Sequence, residues 1–165
     1  MKKMTLSFIV FLMFLGFAKS QSIGLMLGYG SKIEQIGIGA NAEFGLTEKL
    51  KIAPSFLYYF TEDHDFVKTN LWELNGNVNY YFIDDNDLGV YGLGGLNYTH
   101  ISVKSDYGAG FGYGSYSASS GKIGVNLGAG LNYNISERLS PYAELKFVIS
   151  DYDQLVAMIG MKYKL

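Results

Sequence analysis

The chain has no cysteine, two prolines, two histidines, one tryptophan and 17% charged side chains in 165 residues. Without cysteine, neither a disulfide-stapled scaffold nor a Cys-ligated zinc site can be built. Two prolines exclude collagen-like and proline-rich repeats. A formal charge of −2 offers no basic footprint for nucleic acid. Beyond residue 20 no apolar run approaches the roughly 18 residues that a spanning helix needs. The charge content is also low for a soluble domain, where about 25% is usual. What the chain does have is 21 glycines, 14 tyrosines and 11 phenylalanines, with 48% hydrophobic residues. That is enough apolar material to order the chain, and the length suits one domain.

Residues 1–20 read as a cleaved secretory signal peptide. Lys2 and Lys3 form the positive start, Thr5 to Phe17 the apolar stretch, and Ala18-Lys19-Ser20 a small-residue cleavage site before Gln21. The alternative, a membrane anchor, is short for a span of about 20 residues. Removing Lys2, Lys3 and Lys19 with this segment takes the formal charge from −2 to −5. Residues 21–165 form the exported domain.

That domain alternates with period two, the mark of strands. In residues 36–46, Ile36, Ile38, Ala40, Ala42, Phe44 and Leu46 share one face; Gly37, Gly39, Asn41, Glu43 and Gly45 share the other. Residues 122–135 and 155–165 repeat the pattern. The alternation predicts eight strands, over 22–30, 35–46, 50–60, 71–82, 88–101, 122–135, 139–150 and 155–165. Tight turns are expected at 47–49, 84–87 and 136–138, each followed by a leucine (Leu50, Leu88, Leu139). Longer loops are expected at 61–70 and 102–121. An even number of strands about ten residues long, with turns at one end and loops at the other, predicts an all-β fold: an eight-stranded antiparallel up-and-down transmembrane β-barrel. Pro54 lies inside the third strand, where a closed barrel has no free edge. This predicts a bulge there, or a strand that starts nearer Pro54.

A soluble lipocalin-like barrel would show the same alternation with its apolar face inward. The non-apolar face here is mostly Gly and Asn, which suits a crowded interior better than a water-facing surface. With the apolar face outward, Tyr29, Tyr58, Phe60, Trp72, Tyr98 and Phe147 fall at the loop end. Phe44, Tyr80, Phe82, Tyr133 and Tyr163 fall at the turn end. Two aromatic belts flanking an aliphatic band match the two membrane interfaces.

These features resemble the small bacterial outer-membrane β-barrel family of OmpX-like, opacity-like and OmpA N-terminal barrels. The resemblance covers the whole exported domain. The last strand, with Tyr163 two residues from the end, looks like the signal read by the outer-membrane assembly machinery, although Leu165 stands where many members carry Phe. The resemblance implies an outer-membrane location, contact with outer-membrane lipids including lipopolysaccharide, and a structural or surface-interaction role.

With that orientation Glu43, Lys51, Glu73, Glu144, Lys146 and Lys162 point inward, with Asn41, Asn75, Asn77, Asn79, Asn126, Asn132, Asn134 and Tyr142. One reading is a polar plug with ion pairs such as Glu144 with Lys146 or Lys162; the other is a narrow porin-like channel. Eight strands leave room for little beyond side chains, which favours the plug. The 102–121 loop carries Tyr107, Phe111, Tyr113 and Tyr116 among Gly and Ser, the composition of adaptable recognition loops. It is a candidate adhesin or receptor surface for an extracellular ligand. Glu62-Asp63-His64-Asp65 could touch a divalent cation, but such a run is more often a solvated loop. No nucleophile–base pattern, metal-ligand spacing or cofactor motif stands out. His100 near the rim reads as an interfacial polar residue rather than a catalytic one.

Overall fold

A computed structural model describes residues 21–61, 67–105, 116–151 and 153–165. Residues 1–20, Glu62–Asp65, Tyr107, Phe111 and Tyr113 lie outside them. Eight strands follow in order: β1 (Gln21–Gly30), β2 (Gln35–Gly45), β3 (Leu50–Tyr59), β4 (Val67–Asp84), β5 (Leu88–Ser105), β6 (Tyr116–Tyr133), β7 (Leu139–Ile149) and β8 (Gln154–Lys164). Each pairs antiparallel with its neighbours in the chain. β8 pairs back onto β1, from Ser22 opposite Lys164 to Gly30 opposite Val156, closing the barrel.

The faces are inverted relative to a water-soluble domain. Leu25 is 69% exposed and Ile123 75%, while Lys146 is 1% exposed and Glu73 fully buried. The three turn-end leucines have a shared role. The N–H groups of Leu46, Asp85 and Ile135 donate to the carbonyls of Leu50, Leu88 and Leu139, at 2.9, 3.0 and 3.0 Å. Each leucine thus closes a tight turn with its backbone while opening the next strand.

Three expectations need correcting. First, β4, β5 and β6 are 18 residues each, so residues 102–105 and 116–121 of the expected 102–121 loop, and residues 67–70 of the 61–70 loop, are strand. The Ser-rich stretch 117–120 reads as loop by composition, but pairing with β5 continues through it to Ser105 opposite Tyr116. Second, Pro54 lies in an unbroken β3 with no bulge. Its cost appears as a gap in the β2–β3 ladder between the Asn41–Ser55 and Phe44–Ile52 pairs, with the register unchanged. Opposite Pro54 on the other side stands Gly76. Third, the irregularity lies elsewhere: the β4–β5 register shifts between Tyr81 and Ile83. The extra residue is Phe82, which the shift leaves on the outer surface, its ring edge-on to Tyr80 at 5.3 Å.

Small residues admit large ones inside. A Cβ on Gly130 would come within 2.4 Å of the Tyr91 ring, whereas one on Gly76 would meet nothing within 4 Å. Gly130→Val is therefore expected to destabilise the barrel by about 1–3 kcal/mol through overpacking. Gly76→Ala is expected to stay within about 0.5 kcal/mol. Urea unfolding in lipid vesicles, followed by tryptophan fluorescence, measures both.

Candidate functional site

Inward positions on different strands meet in two polar layers. Toward the turn end, Glu43 of β2 is the hub. Its Oε2 lies 2.5 Å from Lys162 Nζ, and its Oε1 lies 3.6 Å from Lys51 Nζ and 2.8 Å from Tyr81 Oη. Lys51 also reaches Asp84 at 3.3 Å and sits 3.7 Å over the Tyr81 ring. Lys162 lies between the Tyr91 and Tyr142 rings, 5.0 and 4.9 Å from their centroids.

Toward the loop end, Glu73 of β4 is the hub. It takes Lys146 Nζ at 3.1 Å, Tyr59 Oη at 3.0 Å and Gln154 Nε2 at 2.6 Å. Lys146 also donates to Asn75 Oδ1 at 2.8 Å, where Asn97 and Asn126 donate as well, at 2.8 and 2.9 Å. Among the described residues three carboxylates (Glu43, Glu73, Glu144) and three ammonium groups (Lys51, Lys146, Lys162) therefore balance inside the barrel. Charges this deep are tolerable only when paired and hydrogen-bonded.

The expected pairing of Glu144 is corrected: it is not the ion-pair partner of Lys146 or Lys162, which Glu73 and Glu43 take. Glu144 instead accepts from Tyr91 Oη at 3.0 Å. Asn134 is also not an interior group. It lies at the turn end, where its N–H donates to the Asp87 carbonyl and its Nδ2 to the Asn86 carbonyl.

The interior also holds an apolar cluster: Met26, Leu57, Tyr59, Leu71, Tyr142, Val148, Val156 and Met158, with Ile33 and Ile101 packed against it. The alternation already placed Val156 and Met158 on the inward face of β8. Asn41, Asn79 and Tyr142 each bury a polar atom with no partner among the described residues, at roughly 1–3 kcal/mol apiece. The interior is thus closed by fit and charge balance rather than by complete hydrogen bonding.

On the outer surface Tyr29, Tyr58, Phe60, Trp72, Tyr98 and Phe147 lie toward the loop end, and Phe44, Tyr80, Phe82, Tyr133 and Tyr163 toward the turn end. On β3–β5 the loop-end rings touch. Trp72 lies 5.9 Å from Phe56, 5.6 Å from Tyr98 and 5.1 Å from His100, which stacks on it. His100 is thereby part of an aromatic cluster, and no group of three potential metal ligands occurs among the described residues. Tyr116 begins β6.

Above the belt β3 and β7 stop while β4, β5 and β6 continue. The β3–β4 pairing ends at Tyr59–Leu71, and the β6–β7 pairing begins only at Val125–Ile149. Among the described residues β6 is therefore paired with β5 alone from Tyr116 to Gly124, and Ser117–Ile123 are exposed. Lys122 reaches across this edge to Asp151 at 2.6 Å. The hydrogen bond and charge of Lys122 hold the Asp151 carboxyl below the usual carboxylate range. Both groups are exposed, so the pair adds little stability.

A family model described as the outer membrane protein beta-barrel domain matches residues 13–164. The chain belongs to that family. This outer-membrane barrel is also similar to solved structures. The attachment invasion locus protein Ail of Yersinia pestis is 19% identical, with a TM-score of 0.63, over 88% of this chain and 97% of that one. The N-terminal β-barrel domain of Pseudomonas aeruginosa OprF is 21% identical, with a TM-score of 0.65, over 90% and 98%. Neisserial surface protein A is 13% identical, with a TM-score of 0.64, over 88% and 96%. At these identities the likeness is one of fold. No curated protein matches the chain. Family and inverted faces together place the protein in the outer membrane.

Removing one member of a buried pair strands the other. Lys146→Met is expected to destabilise the barrel by about 3–5 kcal/mol, and adding Glu73→Leu is expected to recover most of that loss. Equilibrium unfolding of the single and double variants in vesicles measures the difference.

Proposed function

We propose that this protein is a non-conducting, non-catalytic barrel of the outer membrane that displays the β5–β6 hairpin as its interaction surface. The observation that carries the proposal is the one-sided pairing of β6 over residues 116–124. Residues 116–121 present about 20 Å of backbone edge that, among the described residues, is paired on one side only. An open edge of this kind accepts an extended segment of another protein. Between Tyr116 and Lys122 its side chains are small (Ser117, Ala118, Ser119, Ser120, Gly121) and include no proline, so little hinders a backbone partner there. In sequence Tyr107, Phe111 and Tyr113 lie between β5 and β6, and Tyr116 begins β6; these four would offer aromatic contact area to an extracellular ligand.

In this reading residues 1–20 direct export and are removed. Residues 21–165 insert through the assembly machinery, which reads the β8 segment ending in Tyr163 and Leu165. Lipopolysaccharide packs against the loop-end belt. The plugged interior is supported by the charge-balanced layers and by the apolar cluster between β1, β3, β4, β7 and β8.

Two measurements test the proposal. Purified protein in planar bilayers is expected to show no large stable conductance, and Glu144→Gln is expected to leave that unchanged; a large stable wild-type conductance contradicts the plug. Deleting residues 106–120 is expected to reduce adhesion of protein-displaying cells to a matrix-coated surface severalfold. Unchanged adhesion contradicts the hairpin as the interaction surface.

A further inference from the structure

The lipid-facing surface is not uniformly convex. Across β6, β7, β8, β1 and β2, in the half of the barrel nearer the turns, runs a trough of about 730 Å³, within the range of small-molecule sites. Its floor arises from sequence. Pro141 and Ala143 present little bulk on the outer face of β7. They lie between Leu131 and Tyr133 on β6 and Ile159 and Met161 on β8, their direct neighbours in register or one strand over. The trough also reaches Met26, Tyr142 and Gly160. These are inward positions, so they contribute backbone rather than side chains to it.

At the turn end the chemistry changes within one residue, from Tyr133 to Asn134. A second, polar recess of about 790 Å³ has Asn134 in its lining, together with Asp87, Glu137, Arg138 and Lys164. Arg138 Nη1 lies 3.0 Å from Tyr163 Oη, and the Lys164 N–H donates to the Arg138 carbonyl at 2.8 Å. Tyr163 is opposite Leu139, one inward–outward repeat below the Pro141–Met161 row. Arg138 thus reaches the outer face beside Tyr163, just below the trough, and Lys164, Asp87 and Glu137 line the recess with it.

We propose that trough and recess together bind one zwitterionic phospholipid from the leaflet at the turn end. One acyl chain lies over Pro141 and Ala143, the phosphate sits at Arg138 and Lys164, and the head-group ammonium faces Asp87 and Glu137. Arginine suits a phosphate because its fork makes two parallel hydrogen bonds. The balanced recess favours a phosphate–ammonium head over a purely anionic one, which the carboxylates would repel. Neighbouring lipid tails are as apolar as leucine, so retention comes from shape-matched packing in the trough and from the head group, not from a hydrophobic driving force. The site is at the opposite end from the β5–β6 hairpin and stands or falls independently of it.

Native mass spectrometry of the full chain in mild detergent tests the site, with phosphatidylethanolamine and phosphatidylglycerol added in equal amounts. The expected result is one phosphatidylethanolamine per barrel. Ala143→Trp, which fills the trough, is expected to lower the lipid-bound fraction about tenfold, and Arg138→Gln about threefold to tenfold. Leu96→Phe, on the outer surface away from the trough, is expected to leave it unchanged. Circular dichroism reports whether each variant is folded. A wild-type barrel without bound lipid, or a folded Ala143→Trp variant with wild-type retention, overturns the trough. Preference for phosphatidylglycerol, or full retention by Arg138→Gln, overturns the head-group assignment.

Discussion

Backbone closure is the constraint on which everything else here depends. In hydrocarbon no water is available to an unpaired N–H or C=O, so a sheet can cross only when its last strand bonds to its first. The β1–β8 register does this from Ser22–Lys164 to Gly30–Val156. The even strand number and the alternation of turns with loops follow, because an up-and-down chain must return β8 to the side of β1. The same constraint explains why Pro54 costs only a local gap: the ladder resumes in the same register after two missing pairs.

Closure leaves a narrow interior, and the second physical problem is filling it. The chain does so with glycines where aromatic rings cross, as at Gly130 beneath Tyr91, and with charges that cancel. Glu43 and Glu73 each gather an ammonium group and a tyrosine hydroxyl from different strands. Each hub therefore ties together residues far apart in sequence. Buried ion pairs add little net stability over apolar packing, but they penalise misregistration, since a slipped strand would leave a charge unpaired. The gap in the β2–β3 ladder adjoins Glu43, so the lower hub holds these strands together where the backbone does not.

Strand number, orientation of the faces and the burial of Glu43, Glu73, Lys146 and Lys162 were legible in the alternation. They follow from a period of two with one face against lipid, which is a local property of the sequence. Three things were not legible, each because it depends on partners distant in sequence. Pairing of Glu144 with Lys146 looks natural at a spacing of two, yet Glu73 on β4 and Glu43 on β2 take the lysines. The strand character of 117–120 depends on β5 continuing beside a Ser-rich stretch whose own propensity argues for a loop. The apolar trough depends on small β7 residues lying between bulky ones on β6 and β8, a relation that exists only once the register is known.

The central claim is a barrel turned outward, with lipid against its apolar face and ion pairs inside. Electrophoresis of fractionated membranes, with and without boiling, tests it most directly. The account predicts that the protein is recovered with the outer membrane and migrates at different positions before and after heating, because a closed barrel resists detergent until it is boiled. Recovery of the exported chain as a water-soluble protein, with one heat-independent band, would contradict it.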